Sequence, residues 1–198
     1  MIPFLNLKDK FAKARFSIGL DIGSGSIKTV VSELKDKEVI LRNFNLIEIS
    51  ENTRDLASAI KNSLSSMGIS NDRINISFSG QSVIIRYVWL PLMSEAELAS
   101  SLRFEAAKLI PFSIEEVNVD SYILKQDVTN NKMLVLIVAA KKDAISERLK
   151  LLQDLGYRIG IVDVDSLALI NAFNFNYHFG EDKDLPKVFA LLNIGASI

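Results

Sequence analysis

A short turn rich in glycine and serine, residues 23–26, separates two apolar runs near the start of the chain. The runs Phe16 to Ile22 and Ile27 to Leu34 are rich in β-branched residues, so the pattern predicts two strands joined by a tight hairpin. Asp21 lies just before the turn and Lys28 just after it. Glycine lets the backbone approach a phosphate, and the N–H groups of such a turn point toward phosphate oxygens. The turn is therefore either a plain hairpin or part of a phosphate-binding site.

Two common phosphate-binding motifs do not fit this turn. No Gly-Lys-Ser/Thr sequence ends the loop, as a P-loop requires, and a strand follows the turn where a dinucleotide-binding motif needs a helix. The segment Leu20 to Gly25 has a counterpart in Leu192 to Ser197, because each is a predicted strand end that runs into small residues. This second strand end favours a phosphate site over a plain hairpin.

The hydrophobic pattern of the remaining chain predicts an α/β fold with an insertion. The predicted strands after the hairpin are Val39 to Ile49, Arg73 to Ser79, Ser82 to Leu90, Val117 to Leu124, Lys132 to Ala140, Arg158 to Val164 and Lys187 to Ile194. The predicted helices are Asp55 to Met67, closed by Gly68, then Ser94 to Ile110, Lys142 to Gly156 and Ser166 to Phe175. Residues 1–80 and 141–198 are expected to form one subdomain, and residues 81–140 an inserted strand-helix-strand-strand subdomain.

Composition excludes several classes of function. The chain has 23 basic and 24 acidic residues, so its net charge of −1 gives no electrostatic reason to bind nucleic acid or an anionic membrane. It has no cysteine and one histidine, which excludes disulfides, thiolate metal sites and multi-histidine metal centres. The apolar run Met133 to Ala140 is too short for a transmembrane helix, and the N-terminus lacks a signal-peptide pattern, so we expect a non-secreted protein. Phe4 to Phe11 is expected to be a frayed terminus, with docking on a membrane or partner as the alternative.

The sequence Asp21 to Lys28 resembles the first phosphate loop of the superfamily that contains actin, heat-shock chaperones and sugar kinases. Within it, the chain resembles the PilM family of type IV pilus proteins along nearly its whole length. The segments that carry this resemblance, besides the loop, are Trp89 to Glu95, Arg103 to Ala106, Ile110 to Phe112 and Val138 to Lys142. The resemblance implies an actin-like (ribonuclease H-like) first half with a small α+β insertion, similar to that of the division protein FtsA.

The resemblance also assigns roles to particular residues. Asp21 is expected to be the carboxylate on the magnesium side of a bound ATP, and Asp165 the catalytic residue near the attacking water. Asn193 replaces an aspartate that is usual in the superfamily, so at most a slow ATPase is expected. The residues expected to contact phosphate are Gly23, Ser24, Gly25, Ser26 and Lys28 in the first loop, and Gly195, Ala196 and Ser197 in the second.

The resemblance finally implies a partner and a place in the cell. The expected function is that of a cytoplasmic ATP-binding adaptor at the inner face of the membrane, which binds the cytoplasmic tail of a PilN-like membrane protein and other pilus platform proteins. Trp89 is the candidate partner-binding residue, whereas Phe104 is expected to belong to the core. Association with the membrane is expected only through partners. Three alternatives remain: an FtsA-like division or filament protein, a sugar-kinase-like phosphotransferase, and an adaptor that has lost nucleotide binding.

Overall fold

The computed structural model describes residues 16–36, 38–49, 55–70, 72–176 and 188–196. The strands are β1 (Phe16–Ile22), β2 (Ser26–Lys35), β3 (Glu38–Glu48), β4 (Arg73–Phe78), β5 (Val83–Pro91), β6 (Val117–Asp127), β7 (Lys132–Lys141) and β8 (Arg158–Val164). The helices are α1 (Leu56–Ser65), α2 (Glu95–Ala107), α3 (Lys142–Asp154) and α4 (Asp165–Asn176).

Strands β1 to β4 and β8 form one mixed sheet, in the order β3-β2-β1-β4-β8. The first three strands are an antiparallel meander, whereas β4 pairs in parallel with both β1 and β8. Because β1, β4 and β8 run in the same direction, their carboxyl ends, at Ile22, Phe78 and Val164, lie at one edge of the sheet. In open α/β sheets, ligands bind at such an edge.

Helix α1 covers one face of this sheet. Its Ile60 and Leu64 are fully buried, as are Ile27 of β2 and Ile74 of β4. The helix starts at an N-cap, where the Asp55 carboxylate accepts a hydrogen bond from the Ala57 N–H at 3.0 Å. Gly68 closes it with a φ of 74°, a left-handed conformation that glycine adopts without steric cost. The predicted helix and its glycine cap are therefore confirmed.

Residues 80–148 form a separate compact unit around a three-stranded antiparallel sheet of order β5-β7-β6. Helix α2 begins with a capping box, because Ser94 and Glu97 each accept a hydrogen bond from the other's backbone N–H. One stripe of the helix is buried against the sheet. The core of this unit contains Leu90, Leu98, Leu102, Ala106, Met133, Val135 and Ile137. The predicted strand-helix-strand-strand order is observed.

Helix α2 differs from the sequence-based expectation in two respects. It ends at Ala107 and not at Ile110, because the Leu109 N–H bonds back to the Ala106 carbonyl at 2.9 Å in a tighter turn. The expectation that Phe104 belongs to the core is wrong, since its side chain is 67% exposed with the Lys108 ammonium 3.9 Å above the ring. Two residues after the buried Leu102, a helical side chain points away from the core.

The predicted strand Lys187 to Ile194 is also wrong. Residues 188–195 are described, and they form no regular secondary structure. Val188, Leu192 and Ile194 are each more than 80% exposed, at 92%, 82% and 82%. An apolar run becomes a strand only where a neighbouring strand and a buried face are available to it.

A search of the described residues for a helix both long and apolar enough to cross a membrane finds none.

Candidate functional site

The turn after β1 is a tight hairpin, as predicted. The Gly23 N–H donates a hydrogen bond to the Ser26 carbonyl at 3.0 Å, just beyond the last strand pair, Ile22 with Ile27. The Gly25 carbonyl accepts a hydrogen bond from the Ile49 N–H at 2.9 Å. The turn is thus tied to the end of β3 as well as to its own strands.

Gly23 and Gly25 are needed in this turn because neighbouring atoms leave no room for a side chain, and not because the backbone is left-handed. Neither Gly23 nor Gly25 has a positive φ. A Cβ on Gly23 would lie 3.2 Å from the Ser26 carbonyl oxygen, and a Cβ on Gly25 would lie 2.5 Å from the Cβ of Ala196. Any side chain at Gly25 would therefore push Ala196 away.

The structure brings the two predicted phosphate loops together at Gly25 and Ala196. Gly195 precedes this contact, and a Cβ on it would meet no atom within 4 Å. Ser197, also predicted to contact phosphate, lies outside the described residues. The similarity of the two segments in sequence thus corresponds to proximity in space for the residues that the structure describes.

Asp21 and Lys28 face each other across the hairpin. They are direct partners in the strand register, and the Lys28 ammonium is 2.9 Å from the Asp21 Oδ2 atom. The Ser77 hydroxyl donates a hydrogen bond to the other carboxylate oxygen at 3.2 Å. Both charged side chains are about half exposed, at 43% for Asp21 and 53% for Lys28. Because such exposed ion pairs contribute about 1 kcal/mol or less, the pair matters little for stability.

Two polar residues at the same sheet edge, Ser77 and Asp163, were not assigned a role from the sequence. Ser77 of β4 is paired in register with Asp163 of β8, so Asp21, Ser77 and Asp163 lie at the ends of three adjacent strands. The Asp163 Oδ1 atom accepts a hydrogen bond from the Val164 N–H at 2.7 Å. Burial raises the pKa of the Asp163 carboxyl, and this hydrogen bond lowers it by a smaller amount. Both residues lie near the carboxyl ends of predicted strands, which meet at one edge of a parallel sheet, so the sequence already contained the signal for them.

Asp163→Asn is expected to stabilise the fold near neutral pH. Because burial raises the pKa of this carboxyl above its value in the unfolded chain, ionisation disfavours the folded state. The cost is present above the folded-state pKa and disappears as the pH falls below the unfolded value. Urea unfolding curves should therefore give a higher free energy of unfolding for the variant than for the parent at about pH 7. The difference between the two proteins should be smaller at about pH 4. The control is Asp120→Asn at an exposed position, and equal stability of Asp163→Asn and the parent at neutral pH would contradict the prediction.

Asp165, the predicted catalytic residue, is the first residue of α4. Its Oδ1 atom accepts a hydrogen bond from the Ser166 N–H at 2.6 Å, which holds the side chain at the start of the helix. It directly follows β8, whose end carries Asp163. Its role near an attacking water stays a prediction.

A magnesium ion at this edge would have few protein ligands. The described residues contain no group of three or more His, Cys, Asp or Glu side chains that could hold a metal ion. Magnesium bound to a nucleotide is commonly held through phosphates and waters with one or two carboxylates, which a single Asp21 can supply. Backbone amides and serine hydroxyls are suitable kinds of donor to phosphate oxygens, although the Gly23 N–H is already bonded to the Ser26 carbonyl, and Lys28 adds positive charge. The donor set therefore fits a magnesium-bound polyphosphate.

Trp89 lies in the other unit, on the sheet face opposite α2. Its neighbours in the strand, Val88 and Leu90, pack in the core under α2, so the alternation of β5 directs Trp89 to the other face. Trp89 is 50% exposed and Tyr87, on the same face, is 59% exposed. A depression of about 360 Å³ beside Trp89 is lined by Trp89, Asp127, Asn130 and Lys132. The predicted partner-binding residue is therefore accessible, and it has polar groups beside it.

Comparisons with known proteins agree with this architecture. A sequence model of the family described as "Type IV pilus assembly protein PilM" matches residues 19–198. The solved structure of a "PilM-PilN type IV pilus biogenesis complex" is similar with a TM-score of 0.68 and 24% identity, over 81% of this chain and 50% of the matched chain. The cytoplasmic domain of EpsL, an inner membrane component of the type II secretion system of Vibrio cholerae, is similar with a TM-score of 0.56 and 16% identity. That match covers 77% of this chain and 58% of the other.

The likenesses confirm the predicted fold class, an actin-like α/β fold that here has a five-stranded mixed sheet and a second, three-stranded sheet. At sequence identities of 24% and 16%, these two structures are evidence for a shared fold and for nothing more specific. The chain spans half the length of the matched chain in the PilM-PilN complex.

Proposed function

The chain belongs to the family of type IV pilus assembly proteins PilM, and we propose that it is the first half of a cytoplasmic, ATP-binding adaptor. In this proposal the Asp21 turn binds the phosphates of Mg-ATP, and the face around Trp89 binds the tail of a PilN-like membrane protein. The proposed nucleotide-binding subdomain is residues 1–80 and 141–198, and the proposed inserted subdomain is residues 81–140. The compact unit of residues 80–148 extends this insertion by one residue at its start and eight at its end. Attachment to the inner membrane is through partners only.

The approach of Gly25 to Ala196 is the single observation that carries the nucleotide part of the proposal. Two loops of similar sequence, distant in the chain, meet at a contact so close that a Cβ on Gly25 would lie 2.5 Å from the Ala196 Cβ. A hairpin with only a structural role would not explain why a second loop of small residues lies against it. Two such loops can donate backbone N–H groups to neighbouring phosphates of one nucleotide.

Each polar residue of the first loop has a role in this arrangement. Asp21 would hold the magnesium ion that accompanies the phosphates, and Ser77 orients the Asp21 carboxylate with a hydrogen bond of 3.2 Å. Lys28, now 2.9 Å from Asp21, contributes positive charge to the phosphates. The hydroxyls of Ser24 and Ser26 add donors. The bound magnesium supplies charge neutralisation at the phosphates.

Turnover is expected to be slow. Asn193 lies just before the second predicted loop, at a position where the superfamily usually has an aspartate. Its neutral amide would attract magnesium less strongly than a carboxylate. Asp165 is held at the start of α4 by its hydrogen bond to the Ser166 N–H at 2.6 Å. These features favour a protein that binds ATP as a signal over one that hydrolyses it rapidly.

The partner part of the proposal is supported by the exposed aromatic pair Tyr87 and Trp89, at 59% and 50% exposure. Exposed tyrosine and tryptophan are enriched among residues that dominate binding energy at protein interfaces. The similar solved structure is a complex of PilM with PilN, which suggests the identity of the partner class.

The proposed adaptor role is tested by titrating a fluorescent PilN-like tail peptide into the full-length protein with and without Mg-ATP. Because a nucleotide that favours one conformation changes the affinity of a second ligand for it, the two dissociation constants should differ by about fivefold or more. Two equal dissociation constants would contradict the coupling. No saturable peptide binding in either condition would contradict the partner itself.

A further inference from the structure

Strand β8 contains one extra residue relative to its neighbour β4. Ile74 of β4 pairs with Ile159 and Ile76 pairs with Val162, so two steps along β4 correspond to three steps along β8. Such a β-bulge is uncommon between parallel strands, and bulges are concentrated beside functional sites, where they turn a side chain in a new direction. This bulge lies in the strand that ends at the candidate site.

The bulge decides which face of the sheet receives Asp163. Side chains alternate along a strand, so in a regular β8 the Asp163 side chain would point to the same side as Ile159. Ile159 is paired with Ile74, which is fully buried in the core. The extra residue inverts the alternation, so that Asp163 is paired with Ser77 and Val164 takes the buried position. The bulge thus keeps a carboxylate out of the core and places it at the edge that carries the candidate site.

The side chain of Asn75 supplies a hydrogen bond to the bulged strand. A bulge leaves its extra residue outside the ladder of hydrogen bonds between strands. Asn75 lies opposite the two residues of the bulge, Gly160 and Ile161, and its Oδ1 atom accepts a hydrogen bond from the Ile161 N–H at 3.0 Å. Its Nδ2 group donates a hydrogen bond to the Ser17 hydroxyl of β1, also at 3.0 Å. One amide therefore connects β8, β4 and β1, the three strands whose ends form the candidate site.

Gly160 leaves the space in which this amide lies. A Cβ on Gly160 would be 2.4 Å from the Asn75 Oδ1 atom and 2.9 Å from the Arg73 Cγ atom. Both distances are shorter than non-bonded atoms adopt. Gly160 does not have a positive φ, so it is needed for space and not for a left-handed backbone. Replacing either Asn75 or Gly160 is therefore expected to disturb the bulge.

The bulge also sets the position of Asp165. This residue directly follows β8 and begins α4. One residue more or less in β8 would move it along the strand direction by roughly 3 Å. Misplacing a group by about 1 Å can lower the rate of a reaction by a large factor, because the reacting atoms must be held close together. The Asp21 turn, in contrast, lies between β1 and β2 and does not include the bulged strand.

We propose that Asn75 is a positioning residue for the slow ATP hydrolysis expected of the candidate site. By holding the bulge, it keeps Asp163 beside Ser77 and fixes the place of Asp165 at the start of α4. In that reaction water bonds to the γ-phosphorus, the bond to the bridging oxygen breaks with its electron pair left on ADP, and a proton of the water passes to solvent. Asn75 acts on this reaction only through β8. The inference rests on the proposed function, because it requires a nucleotide bound at the Asp21 turn.

Separate measurements of turnover and affinity in the full-length protein test this role. Asn75→Ala should lower the rate of hydrolysis of bound Mg-ATP in a single turnover by about tenfold or more, while the dissociation constant from calorimetry stays within about threefold. Asn75→Asp should keep the rate within about threefold of the parent, because its carboxylate can accept hydrogen bonds from the Ile161 N–H and the Ser17 hydroxyl. Gly160→Ala should lower the rate as Asn75→Ala does, and the double variant should lose little more than either single one.

Asn45→Ala is the matched control for lost stability. Asn45 is another asparagine of the same sheet, and its amide donates hydrogen bonds to the Ser66 hydroxyl at 3.0 Å and the Ser63 carbonyl at 3.5 Å. It lies on β3, away from the bulge, so turnover should match that of the parent. Equal losses of turnover in Asn45→Ala and Asn75→Ala would show that only the stability of the sheet matters, and would overturn the proposal.

Hydrogen exchange in the nucleotide-free protein tests the bulge itself. The Ile161 N–H should exchange at least about tenfold faster in Asn75→Ala than in the parent, because its acceptor is gone. Unchanged exchange would overturn the proposal.

Failure of this inference is distinguishable from failure of the proposed function. A parent protein that does not bind Mg-ATP would contradict the proposed function, and the role of Asn75 would fall with it. A parent that binds Mg-ATP without hydrolysing it would overturn the role of Asn75 alone. Parental turnover in Asn75→Ala would do the same.

Discussion

Gly25→Val is expected to reduce the affinity of the full-length protein for Mg-ATP by about a hundredfold or more. Even a single methyl group at Gly25 would lie 2.5 Å from the Cβ of Ala196, closer than two carbon atoms approach without bonding. The valine must push the second loop away, and the backbone donors of the two loops then no longer converge on one nucleotide. Isothermal calorimetry at constant magnesium measures the change.

Thr129→Val is the control for this effect. It introduces the same side chain at an exposed position of the other unit, where no phosphate contact is proposed, so nucleotide affinity should stay within about threefold of the parent. Gly25 does not have a positive φ, so Gly25→Val does not act through a left-handed backbone. Parental affinity in Gly25→Val would mean that the contact with Ala196 has no part in nucleotide binding.

Trp89→Ala is expected to weaken binding of the PilN-like tail by about 30-fold, equivalent to about 2 kcal/mol. Trp89 is 50% exposed beside a depression lined by Asp127, Asn130 and Lys132, so a peptide side chain can pack on the indole while its polar groups are satisfied nearby. Fluorescence anisotropy with a labelled tail peptide gives the dissociation constants.

Phe104→Ala serves as the comparison, because Phe104 is an exposed aromatic residue of the same unit but lies on α2. Its removal should leave the affinity for the tail within about twofold. If Phe104→Ala weakens binding and Trp89→Ala does not, the tail binds on the helix side of the unit and the proposed face is wrong.

The sequence predicted most of the sheet because the local pattern and the tertiary environment agree there. The strand β8 (Arg158–Val164) alternates and ends before Asp165, the first residue of α4, and its bounds were predicted correctly. The hairpin was found from Asp21, the glycine turn and Lys28, and the register places the two charged residues opposite each other. Capping residues such as Ser94 also act locally, so the start of α2 could be found from sequence alone.

Features that depend on distant residues could not be predicted in this way. The segment 187–194 has the composition of a strand, but its described residues have no regular structure, because a strand needs a partner that composition does not supply. Gly25 was correctly singled out, but the close approach of Ala196 is a contact across the fold. Ser77 and Asp163 come together only when β4 and β8 pair.

The most direct test of the central claim, that the Asp21 turn binds magnesium and nucleotide phosphates, is a calorimetric titration of ATP into the full-length protein. Binding should be saturable, should depend on magnesium, and should weaken about tenfold or more in Asp21→Ala, while Asp120→Ala, at an exposed position in the other unit, binds like the parent. A parent protein that binds ATP equally well without magnesium, or an Asp21→Ala variant with unchanged affinity, would contradict the assignment of this turn.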